Sequence, residues 1–409
     1  MQKRLVIIGA GAAGIFCAVN AARTHPHLDV IVVEKTGKLL SKVKVSGGGR
    51  CNVTHACSGV AELVKNYPRG GSFIKKAFQH FSAHDTVSWF EQRGVQLKTE
   101  SDGRMFPVTD SSQTIIDCML QEVDRYKVGI RLHHDVKALS FKDSTWTVSF
   151  SNQEPIQADY VCIACGGYPK STMYEWLKTT GHSIEEPVPS LFTFNMPGNT
   201  ITGLMGLSHK KVRIKIEATR FEQENPVLIT HWGMSGPAVL KLSAWSAREL
   251  ATRGYDFTVA VNWVPEYNES SLQQQIPAMR SQLASLKLAN KNPFLLPQRL
   301  WEHLLQETGI DADTRWASLP AKEQNKLVKT LCAHRFPVKG KTTYKEEFVT
   351  AGGICLNEVD PSTMMSKLVP HLYFAGEILD VDGVTGGFNF QHAWTSAYIA
   401  ATAIAAENK

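Results

Sequence analysis

No stretch of this 409-residue chain offers the roughly 18 unbroken apolar residues of a membrane-spanning helix, so no membrane span is expected. No group of His, Cys and Asp carries metal-ligand spacing, and no metal is expected. The eight cysteines lack the paired spacing of a disulfide framework, which suits a reducing cytoplasm. Low-complexity tracts and internal repeats are missing as well. Net charge is slight, at +6, but unevenly placed. Between Arg280 and Glu347 stand 12 Lys or Arg against 7 Asp or Glu, so most of the excess sits in one segment. Such a segment can meet a polyanion such as RNA, although a solvated helix face is the commoner outcome. The length exceeds what one core usually supports, so two or three domains are expected. A hydrophobic share of 43% and a charged share of 20% are ordinary for a globular protein.

What the chain does have begins at once. Leu5 to Gly14 read L-V-I-I-G-A-G-A-A-G, an apolar run ending in the spacing G-x-G-x-x-G. A helical stretch to Ala22 and a second apolar run, Val30-Ile31-Val32-Val33, follow, ending at Glu34. Gly9 allows a tight turn out of the strand, Gly11 lets the backbone approach a pyrophosphate, and Gly14 lets helix and strand pack closely. The helix N-terminus faces the negative charge, with Ala12 and Ala13 in its first turn. Glu34, about 20 residues beyond the turn, is placed to accept hydrogen bonds from a ribose. Met1-Gln2-Lys3-Arg4 before an apolar run resembles a secretory signal. The glycine spacing and the downstream acid instead favour a nucleotide-binding strand that stays in the protein.

Three further segments favour FAD over NAD. Lys42-Val43-Lys44-Val45-Ser46-Gly47-Gly48-Gly49-Arg50-Cys51-Asn52 holds three glycines that no helix or strand interior favours; they make sense where backbone amides lie against a flat or anionic ligand. Tyr160–Cys165 is a short apolar strand ending in Gly166-Gly167, preceded by a strand-like segment that contains Val136. Leu372–Asp380 ends a strand in Gly376-Glu377-x-x-Asp380, and Gly386-Gly387-Phe388-Asn389 leads to a helix from about Gln391 to Ala406. In flavoproteins such a late strand brings a carboxylate to the ribityl chain, and the helix behind it favours the anionic reduced flavin. No second strand-linked G-x-G-x-x-G exists, so NADH or NADPH would dock transiently over the flavin, and a disulfide reductase of the two-nucleotide type is disfavoured.

The segments G-A-G-A-A-G, S-G-G-G-R-C-N, T-H-W-G-M-S-G-P and F-A-G-E-I-L-D-V-D-G-V-T-G-G-F-N-F-Q resemble those of the BaiN/RdsA-type NAD(P)/FAD-dependent oxidoreductase family, over essentially the whole chain. That family includes ribosomal RNA dihydrouridine synthases, bile-acid enone reductases and aminoacetone oxidases. The resemblance implies bound FAD and a three-part architecture. It places flavin contacts on Gly9, Gly11, Ala13, Gly14, Glu34, Lys35, Lys42, Gly47, Gly48, Gly49, Arg50, Cys51, Asn52, Val136, Gly166, Gly376, Glu377, Asp380, Gly387, Phe388 and Asn389.

The fold class expected is α/β: a Rossmann-like FAD-binding domain, a parallel sheet with helices, interrupted by a β-barrel-like insert and a small helical domain. The FAD half runs over residues 1–188 and resumes at 350–409. The inserted β domain covers 189–268 and returns at 336–349, with helices over 269–335, and Glu185–Pro189 reads as a linker. Among candidate catalytic residues, Cys51 could donate a proton after hydride transfer or simply pack. His231, in Thr230–Pro237, could act as a substrate-side acid or be structural. Cys162-x-x-Cys165 lies on a strand that points the two thiols to opposite faces, a structural arrangement. Arg104, in Asp102–Pro107, could reach substrate or a cofactor phosphate, with a surface turn the favoured reading. The function expected is a reductase that adds hydride to a carbon–carbon double bond, in uridine of large-subunit ribosomal RNA or in a small unsaturated substrate. An amine oxidase and a non-catalytic redox sensor are the alternatives.

Overall fold

The computed structural model describes residues 2–57, 59–342 and 349–407. Internal contacts divide the chain into two compact units, Met1–Ser190 with Tyr344–Lys409, and Leu191–Thr343. The β return read over Phe336–Phe348 lies partly outside the described residues; its described part forms the strands His334–Lys339 and Lys341–Thr342.

The first unit is built on a five-stranded sheet ordered Leu372–Phe374, Tyr160–Ile163, Arg4–Ile8, Asp29–Val33 and Gly129–Arg131, with every neighbouring pair parallel. Strands covered on both faces need apolar residues at consecutive positions. Leu5–Ile8 and Val30–Val33 supply them, and all are buried. The helix Ala12–Thr24 is buried continuously from Ala13 to Ala22, as befits a helix held inside a domain. Its Phe16 ring meets Trp89 at 4.6 Å and Trp394 at 5.2 Å, which joins it to the last helix, Phe388–Ala406. Asn20 is the polar exception on this helix. Its amide donates to the Phe16 carbonyl at 2.8 Å and accepts from the Trp89 indole at 3.0 Å, leaving no buried group unpaired. The last helix begins at Phe388 rather than near Gln391, because Gly387 turns the chain with a φ of +91°.

Two three-stranded antiparallel sheets flank that parallel sheet: Val136–Lys142 with Thr145–Phe150 and Ile156–Ala158, and Thr54–His55 with Arg104–Pro107 and Leu97–Thr99. The segment read as a linker is a strand instead. Ile184–Ser190 pairs antiparallel with Val349–Ile354, and the register shifts between Glu185 and Val188. Two prolines are tolerated there because each strand of a two-stranded ladder has an unpaired edge, and Pro187 falls in the shift. Nearby, Arg69 pairs with the wholly buried Asp382, whose Oδ2 also accepts from the Ser190 hydroxyl at 2.7 Å.

The second unit carries a seven-stranded antiparallel sheet, ordered His334–Lys339, Asp256–Asn262, Ser208–Ile216, Glu222–Thr230, Gly233–Ser235, Thr193–Asn195 and Lys341–Thr342. Its two outermost strands are joined by Gly340 alone, so the sheet curls until its edges approach, in the manner of a barrel. In Ser208–Ile216 the period-two pattern buries Val212, Ile214 and Ile216 and exposes Arg213 and Lys215. The helices Gln298–Thr308 and Ala321–Ala333 contribute Leu300, Leu304 and Leu331 to the same core as Val259 and Phe336 of the sheet.

Gln391 knots the early segments of the first unit to its last helix. Wholly buried, it accepts from the hydroxyls of Thr54 at 2.6 Å and Thr86 at 3.0 Å and donates to Thr395 at 3.0 Å. Gln391→Leu removes the acceptor of the Thr54 hydroxyl and leaves the Thr86 hydroxyl only the Ser82 carbonyl at 3.2 Å, and is expected to cost about 1–3 kcal/mol. The urea midpoint of unfolding measures this, and an unchanged midpoint would contradict the knot.

Candidate dinucleotide site

The site forms where three neighbouring parallel strands end. Gly9, Gly166 and Gly376 follow the strands Arg4–Ile8, Tyr160–Ile163 and Leu372–Phe374, with φ of +108°, +79° and +76°. Ligands of open α/β sheets bind outside the carboxyl ends of their strands. A Cβ on Gly9 would lie 2.6 Å from the Ala164 carbonyl oxygen, and one on Gly14 only 1.8 Å from that of Gly9. These two glycines serve packing. Gly11 differs: a Cβ there would meet no protein atom within 4 Å, and the residue sits in extended conformation at the N-cap of Ala12–Thr24. Its backbone surface is one that a side chain would cover and a phosphate can reach. Ala12 opens the first turn, and Ala13 packs where a Cβ on Gly376 would fall 2.8 Å away.

Glu34 is fixed by the turn it faces. Its Oε2 accepts from the Ala10 amide at 3.0 Å, and its Oε1 from the amide and hydroxyl of Thr36, each at 2.9 Å. Each carboxylate oxygen keeps acceptor capacity for a ribose hydroxyl. Glu34 lines an open cleft with Ile8, Gly9, Val33, Lys35, His134, Asp135, Val136, Cys165, Tyr168 and Trp176. The structure thus brings together Gly9, Glu34, Lys35 and Val136 as the sequence anticipates. Tyr168 and Trp176 were missed; an aromatic directly after Gly166-Gly167 was the available signal. They supply flat apolar wall to the cleft beside Glu34.

The glycine run is a second cradle. Leu40 donates its amide to Ala10 at 2.9 Å, which ties the segment Ser41–Gly49 to the first turn. Helical geometry breaks at Ser46, and Gly47 and Gly48 are left-handed, so these amides do not continue a helix. A Cβ on Gly48 or Gly49 would again meet nothing within 4 Å. Lys42 reaches across to Glu377 at 2.6 Å, and Glu377 also accepts from the Thr350 amide at 2.9 Å. Asp380 follows on the same loop, half-buried.

Several expected side-chain roles are redirected. The Arg50 guanidinium pairs with Glu100 at 2.6 Å and lies 4.0 Å from the Phe106 ring centroid, so it is occupied within the protein. Arg104 pairs with Asp102 and Glu100 at 2.7 and 2.8 Å, as a turn residue would. Asn389 accepts from the Gly383 amide at 2.8 Å and donates to its carbonyl at 2.9 Å, closing the loop before Gly386 and Gly387. With its amide oriented to pair at both ends, Asn52 accepts from Gly387 and donates to the Thr54 carbonyl, each at 3.0 Å. Phe388 is buried and stacks on His55 at 4.8 Å. Cys51 is wholly buried, and burial pushes its thiol up to about 12. It remains protonated but presents no surface to a substrate, which argues against the proton-donor reading and for packing. Cys162 faces Cys17 in the core at 3.8 Å, whereas Cys165 lies beyond the strand's end at Ile163 and lines the cleft, so the two thiols are separated but do not share the strand as expected. His231 belongs to the second unit, exposed at the turn after Glu222–Thr230, its ring edge-on to Trp232 at 4.2 Å.

Fold and site define a Rossmann-type dinucleotide-binding protein whose cradle is completed by its own C-terminal segment. Residues 3–403 match the family model described as HI0933-like protein Rossmann domain, and the chain belongs to that family. The ribosomal RNA dihydrouridine synthase of Escherichia coli (strain K12) is 31% identical over 407 residues, 97% of this chain and 96% of that one. The 3-dehydro-bile acid delta(4,6)-reductase of Clostridium scindens is 27% identical, with 99% of each chain covered. Among solved structures, a 3-ketosteroid-delta4-(5alpha)-dehydrogenase from Rhodococcus jostii RHA1 superposes with a TM-score of 0.51 at 12% identity, covering 98% of this chain and 97% of that one, a likeness of fold. The chain is an FAD-dependent oxidoreductase. The residues present fit the cofactor: a glycine cradle, a helix N-terminus and a fixed acid at ribose distance in sequence.

The two kinds of glycine separate experimentally. Gly14→Ala is expected to destabilise the apoprotein, because its Cβ collides with backbone. Gly11→Ala should leave apoprotein stability within about 1 kcal/mol while weakening FAD retention at least tenfold. Thermal melts and flavin titration measure the pair, and equal flavin affinity in Gly11→Ala would contradict the assignment. His392 gives a second test. Buried, with Nε2 at 3.1 Å from the Gly376 carbonyl, it has its pKa lowered by burial from 6.5 to about 4. The folded state refuses a proton that the unfolded state accepts, so stability present above pH 6.5 is lost as pH falls toward 4. The slope is about 1.4 kcal/mol per pH unit. His392→Gln should remove that share of the slope in denaturation series across this range; parallel curves would contradict it.

Proposed function

We propose that this protein reduces a carbon–carbon double bond, with uridine of large-subunit ribosomal RNA as the favoured substrate and NADH or NADPH as the electron donor. One observation carries the reading. Two relatives that align over nearly the whole chain bear names, dihydrouridine synthase and delta(4,6)-reductase, that both describe adding hydrogen across such a bond. Bound FAD would supply the hydride. The chain's own part is to hold the adenosine end at Glu34 and the cleft, to leave the amides of Gly11, Gly48 and Gly49 open, and to set Lys42 and Glu377 beside that cradle.

Charge placement supports RNA over a small substrate. Lys322, Lys326 and Lys329 fall at i, i+4 and i+7 on the helix Ala321–Ala333, all exposed and, among the described residues, none in an ion pair. Some exposed bases elsewhere are neutralised, as in Arg335–Glu217, Lys287–Asp313 and Arg213–Glu224. The stripe spans about 10 Å, enough to meet two or three phosphates. Among the described residues no helix is long and apolar enough to cross a membrane, and a cytoplasmic setting accords with an RNA substrate. The 27% relative favours a small enone as the second reading.

Mapping dihydrouridine in ribosomal RNA from cells with and without the gene tests the substrate. Loss of one modified position on deletion is expected, and an unchanged map would reject RNA. Replacing the three lysines by alanine should lower the log–log salt slope of RNA binding by about 2. The same slope in wild type and variant would remove the stripe from the interface.

A further inference from the structure

The segment that follows Cys51 carries a second thiol in a different setting. Cys57 is half-buried rather than enclosed, and its Sγ lies 3.2 Å from Nδ1 of His55. The other ring nitrogen of His55, Nε2, lies 3.0 Å from the backbone carbonyl oxygen of Asp102. A carbonyl only accepts, so Nε2 carries the hydrogen and Nδ1 presents a lone pair, which accepts the Cys57 S–H. The imidazole is held from two more sides. Its face stacks on Phe388, and Gly103 has a φ of +87° and no Cβ, which would lie 2.3 Å from the ring. Thr54, next to His55, packs its carbonyl where a Cβ on Gly387 would fall 2.6 Å away. The thiol–imidazole pair is therefore built onto the Gly386-Gly387-Phe388 turn, part of the cradle described above.

We propose that Cys57 is the proton donor of the reduction, with His55 as its positioning residue. This rests on the double-bond reductase reading. In the proton half of the reaction the Cys57 S–H bond breaks, and a C–H bond forms at the alkene carbon that has not received hydride. Reduced flavin supplies the hydride and a nicotinamide restores it, so substrate gains two electrons and two hydrogens while the nicotinamide is oxidised. Cys57 thiolate then regains its proton from water, which its partial exposure allows. Burial and the nearby Glu62 push the Cys57 thiol up to about 11, so the donor is loaded at neutral pH. Cys51 is loaded too, but enclosed.

The test uses the flavin-loaded full chain. Reduction by NADPH and reoxidation of the reduced flavin are followed separately by stopped flow, with a uridine-containing large-subunit ribosomal RNA fragment or a steroid enone as oxidant. Cys57→Ala is expected to slow reoxidation by substrate at least 100-fold while flavin reduction stays within threefold. His55→Gln is expected to show a smaller loss. Reoxidation within threefold of wild type in Cys57→Ala overturns the proposal. A readout independent of turnover accompanies it: iodoacetamide labelling resolved by peptide mass spectrometry should modify Cys57 at least tenfold faster than Cys51. A Cys57 as unreactive as Cys51 overturns the proposal, because a donor must be reachable. If Cys57→Ala fails to hold flavin, alkylated wild-type holoprotein decides, and normal reoxidation after alkylation at Cys57 overturns it. Failure of the wild type to oxidise its reduced flavin with either substrate instead rejects the reductase reading, and the proposal with it.

Discussion

The carbonyl oxygen of Gly9 sits where a Cβ of residue 14 would have to be, at 1.8 Å. That contact brings the helix Ala12–Thr24 against the end of the first strand, and the rest of the site follows from it. With the helix so close, its N-terminal amides face the ends of the strands. The turn lets Ala10 donate to Glu34, and it lets Gly376 approach Ala13 within the space of a methyl group. The late strand and last helix therefore close onto the first βα unit, although some 370 residues of chain separate them. Gln391, Trp394 and Tyr67 complete that closure: the Trp394 indole donates to the Val53 carbonyl at 3.0 Å and the Tyr67 hydroxyl to the Phe388 carbonyl at 2.6 Å.

The parts of this arrangement legible in the sequence are those set by backbone alone. Glycines that must be glycine, apolar runs without alternation, and an acid after the second strand all announce themselves, because steric exclusion and two-sided burial act residue by residue. The parts that sequence leaves open depend on partners far away along the chain. Arg50 and Asn389 look like ligand-binding groups until Glu100, Phe106 and Gly383 are seen to hold them. Cys51 reads from sequence as either a proton donor or a packing group, and its enclosure favours packing. Tyr168 and Trp176 enter the cleft from loops whose course no periodicity records. Glu185–Pro189 carries two prolines and so reads as a linker; only its pairing with Val349–Ile354 makes it a strand.

Burial also sorts the thiols and imidazoles by what they can do. His392 and Cys51 are fully enclosed and held neutral, contributions to packing and hydrogen bonding around the cradle. His55 and Cys57 stand at its margin, paired to each other and partly open. In the second unit several exposed bases have acidic neighbours, while the helix Ala321–Ala333 presents three lysines along one side with no ion pair among the described residues.

The central claim is that the first βα turn and the C-terminal loop hold one FAD between them. The direct measurement is the flavin content of the purified full chain, from its visible spectrum and from FAD released by acid denaturation against protein concentration. The account predicts a yellow protein with about one FAD per chain, or uptake to that ratio on reconstitution. A colourless protein that takes up no FAD would contradict it.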